Sequence, residues 1–468
     1  MVEYSAKNKN DDGELSLLAE ATPQAVGELC RRFEQGGYRA WAVGGSLRDV
    51  LLGRSVADWD LATTARPEEV CRLFDRVIPT GIEHGTVTLI WKKASYEVTT
   101  LRAEHGYSDG RRPDHVRFVE DIAEDLARRD FTVNALAYDP LNDTLTDPFF
   151  GVNDIRDRRL RTVGDPLQRF SEDGLRVLRA ARFVATLEFD LDARTEAAME
   201  PSLPVFRKVA HERVRDEWIK CMAARAPSAA FDIMKRTGLL KVTLPELLEQ
   251  VDCTQNRWHA FDVWRHTMLC VDQLPQGDAI LRMAGLLHDI GKPKSRAFSE
   301  KTKEYTFYNH EKLGAELARH WLEDYRFSNA DRARIVDLVR HHLVCYAADW
   351  TDAAVRRFVR RVSLERVPDL LLLAEADAMS KGRPVDRELE LLRELRSRID
   401  KVTANREALS VRELAIDGRD IMRSCALRPG PRIGRILEAL LEDVLEDPAL
   451  NQREILLEHA LRHLKALE

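Results

Sequence analysis

Residues 41–64, WAVGGSLRDVLLGRSVADWDLATT, bring a glycine pair, an arginine and two alternate aspartates into one short stretch. The apolar residues before Gly44 and Gly45 predict a strand that ends at the glycines, whose missing Cβ atoms let a triphosphate approach the backbone N–H groups. The next residues predict a short helix over 47–52 that carries Arg48 and ends at the following glycine. Its planar guanidinium is suited to phosphates. The stretch therefore predicts a nucleotide site.

A second strand is predicted over 56–61, where side chains alternate between faces. Asp58 and Asp60 then project together, while Trp59 points to the other side. Two adjacent carboxylates repel each other unless a hard cation neutralises them, and Mg²⁺ bound through substrate phosphates suits such a pair. Taken singly, both patterns have simpler explanations. D-x-D occurs by chance, and a glycine pair before an arginine is often only a turn.

Together, the pattern GGxxRDxxLGxxxxDxD over 44–60 resembles the signature of the polymerase-β-like nucleotidyltransferases, specifically the bacterial tRNA nucleotidyltransferase and poly(A) polymerase family. The resemblance implies that Asp58, Asp60 and Arg48 are catalytic and that Gly44, Gly45 and Arg48 bind the nucleotide. It further implies Mg²⁺ at the two aspartates, CTP and ATP as substrates and the 3′ end of tRNA as the partner.

Length, composition and charge limit the class of protein. A chain of 468 residues with 44% hydrophobic content is expected to form more than one domain. The net charge of -6 is unusual for a nucleic-acid binder, so RNA contacts are expected from local basic patches. Seven cysteines without a CxxC pair indicate a reducing cytoplasm, and neither a signal peptide nor a membrane span is visible. The oligomeric state stays unknown.

A second similarity to the family lies in residues 124–139, EDLARRDFTVNALAYD. The cationic residues also suit an ordinary helix C-terminus, where they favour the macrodipole. The resemblance instead implies that Arg129 contacts the phosphates or ribose and that Asp130 and Asn134 order the sugar pocket.

The polar stretch 102–115 predicts a long loop, which an ordinary surface excursion would also explain. This stretch resembles the flexible loop that lies beside the active site in the family. It has the full length of that loop in the members that add the terminal A.

Residues 170–183, FSEDGLRVLRAARF, predict a helix with a polar stripe of Asp173, Arg176, Arg179 and Arg182. Salt bridges to another element are the simpler explanation. The matching EDxxR element of the family implies that an aspartate and an arginine select the incoming base. Cytosine and adenine both carry an exocyclic amine beside an acceptor nitrogen, so one such pair of side chains can select both bases.

The second half of the chain carries the series H…HD…H…HH…D, which resembles the HD superfamily of metal-dependent phosphohydrolases. Imidazole and carboxylate are the usual ligands of catalytic divalent metals. The resemblance implies a metal set of His266, His288, Asp289 and Asp377, with His310 and one of His341 and His342 open to a second ion. A structural HD domain without metal is the alternative, and the ligand types leave the identity of the metal open.

The predicted fold class is multidomain and mostly α, with an N-terminal mixed-sheet α/β head of polymerase-β-like type and an all-α remainder. The predicted divisions are an extension (1–25), the head (26–150), a helical neck that carries the nucleotide-selecting helix (151–255), an HD domain (256–384) and a helical tail (385–468). The tail either contacts tRNA or only packs a core.

The resemblance implies addition of CCA to tRNA without a nucleic-acid template, with release of pyrophosphate and an additional phosphohydrolase activity in the HD domain. The alternatives are an enzyme that adds only A to tRNA ending in CC, a poly(A) polymerase, and an RNA-binding head whose HD domain is the only enzyme.

Overall fold

The computed structural model describes residues 11–81, 85–105, 115–404 and 408–467. The chain divides into two compact units, Met1–Pro245 and Glu246–Glu468. The first ten residues of the expected N-terminal extension and most of the expected loop over 102–115 lie outside the described residues.

The strands, in chain order, are β1 (Ala40–Val43), β2 (Asp60–Thr63), β3 (Val77–Gly81), β4 (Thr86–Trp91), β5 (Ala94–Thr100), β6 (Arg102–His105), β7 (His115–Phe118), β8 (Ala137–Asp139), β9 (Thr144–Thr146), β10 (Arg159–Leu160), β11 (Asp190–Leu191), β12 (Ala297–Ser299) and β13 (Glu304–Thr306).

The helices of the first unit are α1 (Asp11–Ala21), α2 (Gln24–Gln35), α3 (Gly45–Leu51), α4 (Pro67–Leu73), α5 (Ile122–Ala127), α6 (Gly151–Arg156), α7 (Pro166–Glu172), α8 (Leu175–Leu187), α9 (Ala193–Ala197), α10 (Leu203–Phe206), α11 (His211–Cys221), α12 (Ser228–Arg236) and α13 (Leu239–Thr243). Helix α14 (Pro245–Leu248) spans the division, and the second unit continues with α15 (Val263–Gln273), α16 (Ala279–Leu287), α17 (Lys292–Ser295), α18 (His310–Asp324), α19 (Asn329–His341), α20 (Asp352–Val362), α21 (Val367–Met379), α22 (Asp386–Ala404), α23 (Gly418–Ser424), α24 (Pro431–Glu446) and α25 (Arg453–Ala466).

The head of the first unit is built on a seven-stranded sheet in the order β3-β4-β5-β2-β1-β8-β9. Strand β2 runs parallel to β5, and the other neighbours pair antiparallel. One face packs buried side chains such as Trp41, Val43 and Ala62 against Leu126 of α5. The predicted mixed sheet is thereby confirmed, and it fixes the ends of β1 and β2, where the glycine pair and the aspartates lie.

Local sequence signals account for the hairpin of β4 and β5. The two strands alternate buried and more exposed residues, as half-buried strands do. Lys92 and Lys93 between them have φ values of 49° and 70°, and two positive values in succession are the signature of a type I′ hairpin turn. Alternation and a two-residue turn thus account for this hairpin.

The second unit is helical apart from the short hairpin of β12 and β13. Its last helices bury Ile436, Leu440, Leu441 and Val444 of α24 in a separate apolar core. These apolar positions recur at helical spacing, so one face of α24 packs a core, while tRNA contact by the tail stays a prediction. Among the described residues, no helix has the length and apolar character needed to cross a lipid bilayer.

Candidate functional site

The glycine pair forms the tight connection between β1 and α3. Gly44 has φ 81°, a left-handed conformation that side chains with a Cβ rarely adopt. A Cβ on Gly44 would lie 2.8 Å from Nη1 of Arg129, and one on Gly45 would lie 3.2 Å from Nη2 of Arg48. Glycine therefore keeps open the space beside two guanidinium groups, where an anion would bind.

A pocket of about 490 Å³ opens at this turn. It is lined by Gly44, Gly45, Arg48, Asp60, Arg128, Arg129, Asp130, Asn134, Asp173, Arg176, Arg179, Arg182 and Phe183. Six arginines face three aspartates, so the walls carry an excess of positive charge. All the predicted nucleotide-binding residues line this one pocket. Such a lining suits a polyphosphate.

Two arginines stand at the glycine end of the pocket. Arg48 is buried and held by Asp49, to which Nε and Nη2 donate at 3.0 and 2.9 Å, and it also donates to Asn134. Desolvation lowers the pKa of Arg129, although the negative charge of Asp125 acts to raise it. Its Nε is buried without a hydrogen-bond acceptor among the described residues. A bound phosphate would supply that acceptor.

Three carboxylates, those of Asp58, Asp60 and Glu97, lie near the start of the neighbouring strand, and of these Asp60 lines the pocket. Strand β2 begins at Asp60, so the predicted strand over 56–61 is wrong for Asp58, which precedes it. Asp60 lies opposite Glu97 of β5 in the parallel register, so both project from the same face. Desolvation by the pocket walls and the charge of Glu97 raise the pKa of Asp60 to about 6; Arg129 opposes the rise and Asp58 adds to it.

These carboxylates are hard donors that suit a divalent cation, which would relieve their mutual repulsion. Among the described residues they do not form a group whose oxygens all lie within 4.8 Å of one another, as the HD ligands do. Sequence reasoning missed Glu97. Its only local signal is a charged residue in an otherwise β-rich stretch, and its importance depends on the pairing of β5 with β2.

A hydrogen-bonded network joins the head to helix α8. Arg179 donates from Nε and Nη2 to Oδ2 of Asp130 at 2.9 and 2.6 Å, while Asn134 Nδ2 donates to Oδ1 at 3.1 Å. Burial alone would raise the pKa of Asp130, but the charge and hydrogen bonds of Arg179 and Asn134 bring it far below its usual value. Asp130 is thus a fixed anion that orients its neighbours.

The predicted stripe along one helix is partly wrong. Helix α8 starts at Leu175, and Asp173 precedes it in an extended conformation, so only the three arginines lie on the helix. The turn between α7 and α8 is close-packed, because a Cβ at Gly174 would lie 2.7 Å from backbone atoms of Phe206. Asp173 nevertheless lines the same pocket as Arg176.

Both proposed base-selecting residues are held by other side chains. Asp173 accepts from Nη1 and Nη2 of Arg213 at 3.2 and 2.8 Å and from the backbone N of Leu175 at 3.0 Å. Arg176 donates to Glu172 Oε2 at 2.5 Å and to the carbonyls of Arg169 and Arg128 at 2.9 and 3.0 Å. These contacts fix both side chains at the pocket wall.

Phe183 and Arg128 are pocket residues that sequence reasoning did not assign to the site. The ring of Phe183 lies 3.8 Å from the guanidinium carbon of Arg182, 5.2 Å from that of Arg179 and 5.4 Å from that of Arg48. Cation–π contacts of this kind hold guanidinium groups in place. An apolar residue on a core helix gives no sequence signal for such a role.

The second unit holds a separate cluster of buried histidines and aspartates. His266, His288, Asp289 and Asp377 converge so that their ligand atoms all lie within 4.8 Å of one another. His266 Nε2 lies 2.9 Å from Asp377 Oδ1, and His288 Nε2 lies 3.1 Å from Asp289 Oδ2. The four residues of the predicted metal set therefore meet at one point.

A second group shares Asp289. His310 Nε2 and His342 Nε2 lie 3.5 and 3.6 Å from Asp289 Oδ1, on the other side of the carboxylate from His288. Between the two predicted alternatives, the structure places His342 in this group; His341 belongs to neither group. One carboxylate thus faces two potential ion positions, at Oδ2 and at Oδ1.

Backbone contacts determine which histidine nitrogen faces inward. The Nδ1 atoms of His266, His288, His310 and His342 lie 3.2, 2.7, 2.6 and 2.7 Å from backbone carbonyl oxygens. A carbonyl can only accept, so each neutral ring carries its proton on Nδ1 and turns the Nε2 lone pair inward, the arrangement of metal-ligating histidines.

The histidine lone pairs and the carboxylates of Asp289 and Asp377 converge in a buried space, where positive charge is needed to offset their mutual repulsion. Lys292 Nζ, 2.6 Å from Asp289 Oδ2, supplies part of it. Burial disfavours a charged imidazole, yet Asp289 and Asp377 raise the pKa of His288 to about 10. Lys292 is a single cation, and it faces Asp289 together with the inward-facing nitrogens of four histidines. The donor set therefore fits a divalent cation.

Comparison with known proteins places these sites in context. Three family models match in succession: "Poly A polymerase head domain" over residues 40–161, "Probable RNA and SrmB- binding site of polymerase A" over 188–250 and "HD domain" over 258–404. The CCA-adding enzyme of Levilactobacillus brevis is 34% identical over 428 residues, which cover 92% of this chain and 95% of that enzyme.

The CCA-adding enzyme of Lactobacillus helveticus is 49% identical over 211 residues, or 45% of this chain and 53% of that enzyme. Among solved structures, the Bacillus stearothermophilus CCA-adding enzyme in complex with CTP has a TM-score of 0.74 at 28% identity and covers 95% of this chain and 98% of that one. These likenesses confirm the predicted polymerase-type head and the presence of an HD domain.

Proposed function

The chain belongs to the CCA-adding enzymes, a family of tRNA nucleotidyltransferases, and we propose that the arginine-rich pocket of its first unit is the catalytic site. The enzyme adds C, C and A from CTP and ATP to the 3′ end of tRNA. The observation that carries the assignment is the convergence of six arginines, a glycine turn and the Asp60 strand end on one pocket.

In this reaction the 3′-hydroxyl of the RNA attacks the α-phosphate of the nucleotide, and pyrophosphate leaves in line with the attack. Asp58, Asp60 and Glu97 would hold Mg²⁺, because carboxylate oxygens on a rigid strand end are hard donors that suit this ion. When bound, the ions lower the pKa of the attacking hydroxyl and neutralise charge on the phosphates.

Arg48 and Arg129 would bind the triphosphate. Both guanidiniums border the space that the glycine pair leaves open, and the Nε of Arg129 is free to donate to a phosphate oxygen. Asp49 and Asn134 hold Arg48 in position before the substrate arrives. Fixed donors aimed at a developing charge need no rearrangement during the reaction.

Asp130 and Asn134 would order the ribose beside these arginines, and Asp173 and Arg176 would select the base. A carboxylate offers about four lone-pair sites, and the contacts of Asp173 engage three of them. The remaining site can accept from the exocyclic amine of cytosine or adenine. Arg176 engages three of its five N–H donors, which leaves donors for ring acceptors.

Family membership favours complete CCA addition over the three alternatives of A-only addition, poly(A) synthesis and an HD domain as the only enzyme. For the HD domain we propose metal-dependent phosphohydrolysis as a second activity, supported by four inward-facing histidines around Asp289. We assign the protein to the cytoplasm, since all seven cysteines are unpaired.

The test of the catalytic site is Asp60→Asn, measured as nucleotide addition to tRNA lacking CCA. Loss of a metal-binding carboxylate is expected to lower the rate by about three orders of magnitude or more while tRNA binding is retained. Asp75→Asn, an exposed aspartate of the same unit, is the matched control and should keep the full rate. Substantial turnover by folded Asp60→Asn would place the chemistry elsewhere.

A further inference from the structure

A third cluster of metal-ligand side chains lies in the C-terminal helices, remote in sequence from both sites above. Asp443 of α24 faces His459 and His463, which are one helical turn apart on α25. His459 Nδ1 and His463 Nε2 each lie 2.8 Å from the same oxygen, Oδ2 of Asp443. Two imidazole nitrogens and one carboxylate oxygen thus converge from two helices.

We propose that Asp443, His459 and His463 form a transition-metal site, with Zn²⁺ as the preferred ion, that ties α24 to α25. Two imidazoles and one carboxylate form a borderline donor set that favours Zn²⁺, Ni²⁺ or Co²⁺ over Mg²⁺ or Ca²⁺. Two histidines at i and i+4 on one helix face are a recurrent zinc-binding arrangement.

The spacing of the donors fits an ion after a small adjustment. With Zn–N and Zn–O bonds of about 2.0–2.1 Å, ligand atoms of a tetrahedral site lie about 3.3–3.4 Å apart. The observed 2.8 Å between each nitrogen and Asp443 Oδ2 would widen by about half an ångström, which side-chain rotation can supply.

The cluster is accessible as well as convergent. The side chains of Asp443, His459 and His463 are 27%, 19% and 30% exposed, so an ion can enter from solvent and keep water as its fourth ligand. They lie at the rim of the apolar core in which Val444 of α24 packs near Leu456 and Ala460 of α25. An ion there would fasten the two helices at the edge of that core.

A purely structural role is the competing explanation, because protonated nitrogens of both histidines can donate to Asp443. The two explanations differ in what they require of the histidine nitrogens. Hydrogen bonding requires a proton on each of them, whereas metal binding requires a lone pair on each and a net release of protons. A measurement with and without metal therefore separates them.

The experiment compares the full chain with His459→Gln/His463→Gln, each stripped of metal and then titrated with Zn²⁺ and, for a visible absorption signal, Co²⁺. The HD cluster also offers metal ligands. The informative quantity is therefore the difference in bound metal per chain between the parent and the double variant. We expect the double variant to bind one equivalent less. Saturating Zn²⁺ at about 100 times its dissociation constant should shift the unfolding equilibrium about 100-fold further in the parent than in the variant.

His320→Gln, an exposed histidine on α18 of the same unit, is the matched control and should bind the parental amount. Asp443→Asn provides a second variant should the double one fail to fold, and it should lower Zn²⁺ affinity by at least tenfold. The proposal would be overturned in favour of a hydrogen-bonded contact by equal stoichiometry in the parent and His459→Gln/His463→Gln, by unchanged Zn²⁺ affinity in Asp443→Asn, or by a loss of thermal stability that is the same with and without Zn²⁺.

Discussion

The proposed base-selecting role of Asp173 leads to a sharp test with Asp173→Asn. This change preserves shape but leaves only one carbonyl oxygen as an acceptor. That oxygen is expected to stay with Leu175 N and Arg213 Nη1, which both donate to Oδ1. The new amide then takes the place of Oδ2, where it loses the hydrogen bond from Arg213 Nη2 and offers N–H donors to the base instead of an acceptor.

The size of the effect follows from the hydrogen bond that is lost. Hydrogen bonds to a charged group contribute about 1.5–3 kcal/mol, which corresponds to a fall of about 10- to 150-fold in kcat/KM for CTP and ATP. Uracil and guanine present a carbonyl where cytosine and adenine present an amine, so the amide should bind them better. The preference for CTP over UTP should therefore fall by at least about tenfold.

Single-turnover addition rates for all four nucleotides, on tRNA lacking CCA and on tRNA ending in CC, measure this preference. Asp232→Asn, a half-exposed aspartate on α12, is the control for the substitution itself. Arg213→Ala frees Asp173 without removing the acceptor, so it should slow cognate and non-cognate nucleotides more evenly. An unchanged CTP to UTP ratio in folded Asp173→Asn would refute the base-selecting role.

Three further predictions concern the other charged groups. Arg48→Ala removes a phosphate contact and should lower the addition rate of all four nucleotides by a similar factor, about 10- to 150-fold; a selective effect on one base would contradict its role. His288→Asn should lower the metal content of the HD domain, measured by elemental analysis, while nucleotide addition continues near the parental rate; loss of addition in a folded variant would make the HD domain part of the polymerising machinery. Desolvation alone would raise the pKa of Asp278, but the hydrogen bonds from Arg334 hold this pKa below its usual 3.8. The ion pair therefore stabilises the fold above about pH 4, and this stabilisation is lost as the pH falls through the lower folded-state pKa. The difference in free energy of unfolding between the parent and Arg334→Gln, measured by denaturant titration, should therefore be largest above pH 4 and shrink as pH falls; a pH-independent difference would contradict this.

Sequence reasoning succeeded where the relevant interactions are local. The hairpin of β4 and β5 needs only alternation and a two-residue turn, and the amphipathic α24 needs only helical spacing. It missed Glu97, because the position opposite Asp60 depends on the parallel pairing of β2 with β5, which are separated by two other strands in the chain.

The sequence alone could not decide whether His341 or His342 joins the second ligand group of the HD domain, again because the answer depends on tertiary packing. Helix α19 ends at His341, and His342 is its C-terminal cap residue. Helical periodicity loses its meaning at a terminus, where boundaries shift by one or two residues. The inward direction of His342 is decided by packing, through the contacts of its ring with His310 and with the carbonyl of Val339.

The pocket network explains how one set of side chains can serve both ends of a nucleotide. Arg48 donates to Asn134, Asn134 donates to Asp130, and Arg179 donates to Asp130 from the side of helix α8. These hydrogen bonds connect Arg48, proposed to bind phosphate, to helix α8, which also carries the proposed base-selecting Arg176. Because these groups orient one another, the proposed roles predict that the protein alone fixes both the position of the α-phosphate and the identity of the base. On the proposed assignment, loss of the Asp130 carboxylate is therefore expected to change base selection and rate together, although Asp130 is proposed to order only the sugar.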